Sequence, residues 1–198
     1  MNRIGFLQSL AGFSVAVTAG TPAPSPTPAT DPWDTCSVGA LPYDRPLALK
    51  MRVLDGPDFD LMKYRGRPVM LNIFATWCGP CNDEMPIVVD ASTKYADKDL
   101  AIIGIDVDEK DNTVRGFRKK FSIPFPIAMD ENGGFAYALE NGTKKNSISF
   151  PNTLFIRPDG LLYCFVERAM FKDEFTYRTE AFLKDCAKLT ATSRTKSE

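Results

Sequence analysis

The chain has 198 residues, of which 44% are hydrophobic and 25% charged, and its formal net charge is −1. This composition is typical of a soluble protein with room for one core of roughly 150 residues, so we expect one folded domain. The balanced charge argues against nucleic acid or an anionic membrane surface as a partner.

The first 40 residues predict a targeting segment followed by a spacer. Residues 1–20 carry one positive charge, Arg3, and a modestly apolar run that ends in small residues, which is typical of a secretory signal peptide. The alternative is an uncleaved membrane tether, although its about 16 weakly apolar residues fall short of the roughly 20 that a spanning helix needs. Residues 21–40 are rich in proline and predict an extended linker.

We expect an α/β domain over residues 41–190 and a polar tail over residues 191–198. Partial alternation of apolar and polar side chains over residues 47–54 predicts a strand. Another short strand is expected around residues 59–61. Together these two strands would form an N-terminal β extension.

Two apolar runs predict the centre of the sheet. Residues 69–74 are long enough for a buried strand, and residues 100–107 contain enough β-branched side chains for another. Strands that are buried on both faces are typical of parallel pairing. A helix is expected after the first run and a second over residues 111–121, so the order strand, helix, strand, helix requires a right-handed crossover.

The C-terminal half predicts a hairpin and a closing helix. A loop or short helix is expected over residues 133–139. It is followed by strands over residues 150–156 and 161–166, which the turn Pro158-Asp159-Gly160 connects. The last helix is expected over residues 173–189. Its core face would carry Phe175, Phe182, Cys186 and Leu189.

Two cysteines three residues apart lie where the first buried strand gives way to a helix. Cys78 is expected at the helix N-terminus and Cys81 one turn inside it. Unpaired N–H groups and the positive end of the helix dipole favour an anion, so the Cys78 thiolate is stabilised and becomes the nucleophile. Cys81, within disulfide reach and more shielded, is suited to attack a mixed disulfide and release the substrate. Pro80 fits the first helical positions because its missing N–H costs nothing there.

The motif around these cysteines resembles the thioredoxin superfamily. Residues 72–81 read Asn-Ile-Phe-Ala-Thr-Trp-Cys-Gly-Pro-Cys, and Glu84 and Pro86 follow. This is similar to the exported TlpA/ResA/DsbE-like thiol-disulfide oxidoreductases, whose motif reads Asn-Phe-Trp-Ala-Thr-Trp-Cys-x-x-Cys-x-x-Glu-x-Pro. The resemblance implies a thioredoxin-like α/β fold: a central mixed β-sheet flanked by helices, with an N-terminal β extension and a central βα insertion. It implies no cofactor beyond the Cys78/Cys81 redox-active disulfide.

Pro151 is the second element that the resemblance implies. Family members have a cis X-Pro bond here that faces the redox cysteines and exposes the preceding backbone to an extended substrate. Phe150 replaces the usual Val or Thr before this proline and Asn152 the usual Thr after it, departures that bear on substrate preference. The alternative is a trans proline at a strand edge. The expected substrate-binding residues are Trp77, Gly79, Pro80, Phe150 and Pro151.

The resemblance also gives Glu84 a role in catalysis. It is the position of a carboxylate that would take and return the proton of Cys81. Asn72 occupies the site of the buried acid of cytoplasmic thioredoxins, so Glu84 would do that work alone. The alternative is an exposed carboxylate at a helix start. Trp77 is expected either on the docking face beside the disulfide or in the core.

Three further cysteines, Cys36, Cys164 and Cys186, cannot all pair within one molecule. Cys164 lies in the last strand and Cys186 on the last helix, and these elements pack together in the resembled fold. A structural Cys164–Cys186 disulfide is therefore one expectation, and two buried thiols are the other. Cys36 precedes the domain without a lipobox, which argues against lipid attachment.

The leading hypothesis is a thiol-disulfide oxidoreductase in the bacterial periplasm or cell envelope that reduces disulfides of exported proteins, for instance in cytochrome c maturation. Its partners would be exported protein thiols or disulfides and a membrane thiol donor such as a DsbD/CcdA-like protein. Oxidation of exported thiols is the alternative, although Gly79-Pro80 resembles the reducing thioredoxins. A copper carrier is disfavoured because the sequence has no histidine. A peroxidase is disfavoured by the residues before Cys78.

Overall fold

The structure is a computed structural model that describes residues 45–143 and 149–194. The expected signal or tether at residues 1–20, the linker at residues 21–40 and Cys36 lie outside the described residues. Within the described ranges, no helix is long and apolar enough to cross a membrane.

Seven strands and four α-helices occur in the described residues. The strands are β1 (Lys50–Met51), β2 (Phe59–Asp60), β3 (Val69–Phe74), β4 (Ala101–Val107), β5 (Ile127–Asp130), β6 (Asn152–Ile156) and β7 (Leu162–Val166). The α-helices are α1 (Gly79–Lys94), α2 (Asp111–Phe121), α3 (Gly134–Thr143) and α4 (Lys172–Arg194).

Five of the strands form one mixed sheet in the order β5-β4-β3-β6-β7. β3, β4 and β5 are parallel, whereas β6 pairs antiparallel with both β3 and β7. β1 and β2 form a separate antiparallel pair, and β5 with α3 makes a βα unit between α2 and β6. The expected fold class is confirmed, with its mixed sheet, flanking helices, N-terminal β extension and central βα unit.

The central strand β3 is buried on both faces because each face meets a different hydrophobic layer. Met70 and Phe74 point into the layer that also contains Phe117 of α2 and Phe182 of α4. Val69, Leu71 and Ile73 pack into the opposite layer, with side chains from β2 and α3. Because side chains along β3 alternate between these two apolar layers, the run over residues 69–74 is mostly hydrophobic, and the expected strand has the observed bounds.

The N-terminal strand expected over residues 47–54 is shorter in the structure. Lys50 and Met51 pair with β2, but the chain then changes partner, and Val53 forms an isolated bridge to Ala128 of β5. The Met129 N–H of β5 donates to the Arg52 carbonyl at 2.9 Å, next to this bridge. The prediction was wrong in length because one partly alternating run serves two partners, and neither pairing extends over the whole run.

The last helix extends beyond the expected residue 189. α4 continues to Arg194, since the residues after Leu189 include no glycine or proline that would end a helix. Phe175, Phe182 and Cys186 are buried as expected, but Leu189 is 40% exposed, so its placement on the core face was wrong.

Of the two expectations for Cys164 and Cys186, the disulfide between them is wrong, and the alternative of two buried thiols holds only for Cys186. Cys164 in β7 is disulfide-bonded, whereas Cys186 in α4 is a buried thiol. Burial raises the pKa of the Cys186 thiol to about 12, so it is protonated at neutral pH and unsuited to act as a nucleophile.

Candidate active site

The two motif cysteines lie at the start of α1, as expected. They are joined by a disulfide, with their Cα atoms 5.3 Å apart. Cys78 is the N-cap residue, and its Sγ accepts a hydrogen bond from the Cys81 backbone N–H at 3.1 Å. Cys78 is 6% exposed and Cys81 1%, so the second sulfur is the better shielded. Pro80 occupies one of the first helical positions. After reduction, the helix N-terminus would favour a thiolate at residue 78 over one at residue 81.

Asn82 fixes the turn before α1. Its Nδ2 donates to the Thr76 carbonyl at 3.0 Å and to the Cys78 carbonyl at 2.8 Å. Its Oδ1 accepts from Lys120 Nζ of α2 at 2.6 Å. A cation from the second helix is thereby held next to the start of the first. The sequence analysis did not single out either residue, because the contact joins positions 38 residues apart.

An exposed aromatic surface adjoins the disulfide. Trp77 is 72% exposed, so the alternative of a core tryptophan is wrong. Its ring meets Phe150 edge-on, with the ring centroids 6.1 Å apart. The Phe150–Pro151 peptide bond is cis, as predicted, and Pro151 is buried. Gly79 and Pro80, which follow Cys78 in the sequence, are exposed, and Trp77, which precedes it, contacts Phe150.

Glu84 is a buried carboxyl group, so the alternative of an exposed helix-start carboxylate is wrong. It is 2% exposed and lies one turn beyond Cys81 in α1. Its Oε1 accepts from the Met170 backbone N–H at 2.8 Å and its Oε2 from Asn72 Nδ2 at 3.0 Å. Burial outweighs these two hydrogen bonds and raises the pKa of Glu84 to about 7. At neutral pH the group can therefore both give and take a proton.

Asn72 can serve both protonation states of Glu84. Its Nδ2 also donates to Thr153 Oγ1 at 3.2 Å, while its Oδ1 is buried without a hydrogen-bond partner among the described residues. Rotating the amide by half a turn would present this oxygen to a protonated Glu84 and to the Thr153 hydroxyl, since amide orientation follows the hydrogen-bond network. The residue at the place of the acid in cytoplasmic thioredoxins thus acts as a partner of Glu84.

The segment that carries Met170 is anchored by buried charges. Arg168 binds both oxygens of Glu174 at 2.8 Å, and Arg178 Nε donates to Glu174 Oε1 at the same distance. Glu174 and Arg178 are 4% and 5% exposed. A buried carboxylate that is bound bidentately and paired twice is held firmly, so the Met170 N–H has a fixed position against Glu84.

Besides Glu84, a pair of carboxyl groups lies near the Cys78 turn. This pair was not predicted from the sequence. Asp106, near the end of β4, pairs with Phe74 of β3 and is fully buried. Glu109 follows in the next loop, and its two oxygens accept from the Thr76 N–H and hydroxyl at 2.5 Å. Burial and the neighbouring Glu109 raise the pKa of Asp106 to about 8. The available signal was one acid inside an otherwise apolar run.

The described part of the chain contains no group of three or more Cys, Asp, Glu or His side chains placed to hold a metal ion. The site itself combines two sulfurs at a helix start, a buried carboxyl group with a pKa of about 7, and an exposed aromatic side chain.

Comparison with known families gives one family match. The model of the AhpC/TSA family matches residues 45–164, which is more than half of the chain.

Several curated relatives are thiol-disulfide oxidoreductases named ResA. The chain is 40% identical to the protein of Bacillus thuringiensis subsp. konkukian over 80 residues, which is 40% of this chain and 46% of that protein. It is 32% identical to the protein of Oceanobacillus iheyensis over 134 residues, 68% of this chain and 65% of that one. The matched regions thus span from about half to just under two thirds of these relatives.

The fold also has solved neighbours. One is the crystal structure of a secreted Mycobacterium tuberculosis disulfide oxidoreductase homologous to E. coli DsbE. It superimposes with a TM-score of 0.58 and 25% sequence identity, over 67% of this chain and 95% of that chain. The region shared with this neighbour covers nearly the whole of that chain.

Proposed function

This chain belongs to the AhpC/TSA family, and we propose that it is a thiol-disulfide oxidoreductase that reduces disulfides of exported proteins outside the cytoplasm. One observation carries the proposal: the Cys78–Cys81 disulfide lies at the start of α1, with the Cys78 sulfur in the N-cap position. A helix N-terminus stabilises a thiolate, and thiolates are the attacking species in disulfide exchange.

The reaction starts from the reduced pair. The Cys78 thiolate attacks one sulfur of a substrate disulfide, forming a mixed disulfide and releasing the other substrate sulfur as a thiolate. The Cys81 thiolate then attacks Cys78 Sγ, the Cys78–Cys81 disulfide forms, and the second substrate sulfur leaves. Two electrons have passed to the substrate, and an external dithiol returns them to the enzyme.

In this scheme, Glu84 accepts the proton of Cys81 and later returns it. Cys81 must lose its proton to attack the mixed disulfide and must regain it when the pair is reduced. A carboxyl group whose pKa lies at about 7 is matched to this task at neutral pH. Its burial, one turn further along α1 than Cys81, supports this role because the carboxyl group is shielded from solvent.

The aromatic face supplies the substrate contact. Trp77 and Phe150 form an apolar surface beside a sulfur that is itself nearly buried. Gly79 and Pro80 offer little side-chain bulk at the start of α1, so a polypeptide could approach Cys78 closely over them. We expect substrates whose reactive cysteine is flanked by apolar residues in an extended segment.

Several features support the proposed location and partners. A structural neighbour is described as secreted, and residues 1–20 have the sequence pattern of a secretory signal. The resemblance to TlpA/ResA/DsbE-like proteins favours apocytochrome c cysteines as substrates and a membrane thiol donor of the DsbD/CcdA type. Gly79-Pro80 between the cysteines favours reduction over oxidation.

The experiment is capture of mixed disulfides in the host cell. The Cys81→Ser variant lacks the resolving thiol and should accumulate exported proteins bound to Cys78, which separate when a reductant is added. The Cys78→Ser variant should capture none and should have no exchange activity. Failure of the Cys81→Ser variant to form any mixed disulfide with an exported protein would contradict the proposed function.

A further inference from the structure

The turn that presents Cys78 is bound by side chains on both sides. A hydrogen bond from the Cys78 N–H to the Ala75 carbonyl closes it at 3.1 Å. Glu109 accepts from the N–H and the hydroxyl of Thr76, and Asn82 donates to the Thr76 carbonyl. Every polar group of Thr76, two residues before the nucleophile, is therefore engaged. None of these contacts belongs to the helix or the sheet themselves.

Two carboxyl groups that interact with each other, Asp106 and Glu109, lie beside this turn. Asp106 is fully buried, and burial together with the adjacent Glu109 side chain raises the pKa of its carboxyl to about 8. Glu109 is only partly buried and has two donors from Thr76. A negative charge is stabilised where donors and water reach it and is costly where they do not. Glu109 is therefore the carboxyl group of this pair that binds Thr76, and both of its oxygens are used as acceptors.

We infer that Glu109 is a positioning residue for Cys78, acting through Thr76. Its carboxylate holds the turn so that the Cys78 sulfur lies against the N–H groups at the start of α1. The inference rests on the proposed function, because it concerns the nucleophile of that reaction. An effect through charge alone would have the opposite sign, since a nearby carboxylate disfavours a thiolate.

The test follows alkylation of Cys78 by iodoacetamide in the reduced full chain over a range of pH, with the Cys78 peptide quantified by mass spectrometry. Glu109→Gln removes the charge and one acceptor, and Thr76→Val removes the hydroxyl donor. Both variants should react about three- to tenfold more slowly at neutral pH, because a hydrogen bond to a charged group contributes on the order of tenfold to an equilibrium. The pH midpoint of the reaction should rise in both. Thr76→Ser keeps the hydroxyl and should restore the wild-type rate.

Asp108→Asn is the matched control, because it removes an exposed carboxylate from the same loop. Its rate should stay within about twofold of wild type or rise, as expected for loss of a screened negative charge. Unchanged rates in both Glu109→Gln and Thr76→Val, or a faster rate in Glu109→Gln, would overturn the positioning role. If Glu109→Gln does not fold, the alkylation rate of Thr76→Val alone tests the positioning role.

Alkylation needs no protein substrate, so this result is independent of mixed-disulfide capture. Slower alkylation in the two variants together with failed capture would retain the positioning role and reject the proposed function. Unchanged alkylation rates together with successful capture would retain the proposed function and reject the positioning role of Glu109.

Discussion

Glu84 makes the stability of the folded chain depend on pH. Burial raises the pKa of its carboxyl from an ordinary 4.5 to about 7. The folded state therefore retains a proton that the unfolded state releases above pH 4.5. The stabilisation by this proton is fully present below pH 4.5 and is lost as the pH rises through 7.

The variant Glu84→Gln should remove this dependence. A glutamine can accept from the Met170 N–H and donate to the Oδ1 of a rotated Asn72, so the site stays paired. Relative to the variant, the wild-type protein should lose about 3 kcal/mol of unfolding free energy across this window, since each pKa unit corresponds to about 1.36 kcal/mol. Urea denaturation of the oxidised proteins at a series of pH values measures the difference.

Asp83→Asn is the control for that series, because Asp83 is the exposed neighbour of Glu84 in the same helix. It should follow the wild-type curve. If the Glu84→Gln and wild-type curves ran parallel over the whole range, the buried carboxyl would not hold its proton in the folded state.

The sequence identified the site residues whose chemistry is local. Cys78, Cys81 and Glu84 share one helix start, and their spacing alone places them together. The Glu109 contact was missed because it joins positions 33 residues apart. Asp106 was missed because a single acid does not disturb the apolar pattern of its strand. Contacts between side chains on different elements leave little trace in local periodicity.

Among the elements, β4 depends on a residue without a side chain. A Cβ atom added at Gly104 would lie 3.1 Å from Phe74 Cε1 and 3.3 Å from Phe125 Cε2. Phe74 is stacked on Phe117 of α2, with their centroids 5.0 Å apart, and has little freedom to move away. Gly104→Ala should therefore lower the unfolding free energy by about 1–3 kcal/mol, as overpacked cores do. Because Phe74 directly precedes the Cys78 turn, disulfide exchange should slow as well.

Gly116 provides the control for this substitution. It lies in α2, exposed, and an added Cβ would meet nothing within 4 Å. Gly116→Ala should stabilise the protein by about 0.5–1 kcal/mol, because glycine is unfavourable in a helix interior. Urea denaturation of both variants gives the comparison. Equal stability of the two variants would contradict the tight packing of Phe74 against β4.

Elements that make one set of contacts were predicted best. β3 and α2 have the expected bounds because each has a single burial pattern over its whole length. The N-terminal strand was overestimated because its run of residues contacts β2 and then β5. The last helix was underestimated because the apolar pattern stops before the helix does. The hydrophobic pattern of a sequence indicates which residues are buried. Backbone hydrogen bonding in a strand or helix can end earlier or later than this burial.

In the domain as a whole, the central sheet connects the Cys78 turn with the segment that contains the cis proline. β3 leads into the Cys78 turn, its neighbour β4 leads towards Glu109, and its other neighbour β6 follows the cis proline. The β1–β2 pair and α3 pack on the opposite layer from α1 and α4. Among the described residues, Trp77 stays exposed beside the start of α1.

The proposed reaction depends on ionisation of the Cys78 thiol at the start of α1. The most direct measurement is a pH titration of thiolate ultraviolet absorbance in the reduced protein, with Cys78→Ser as the reference. We expect the wild type to form a thiolate that Cys78→Ser lacks and that titrates well below the roughly 8.5 of free cysteine. A Cys78 midpoint at or above about 8.5 would contradict it.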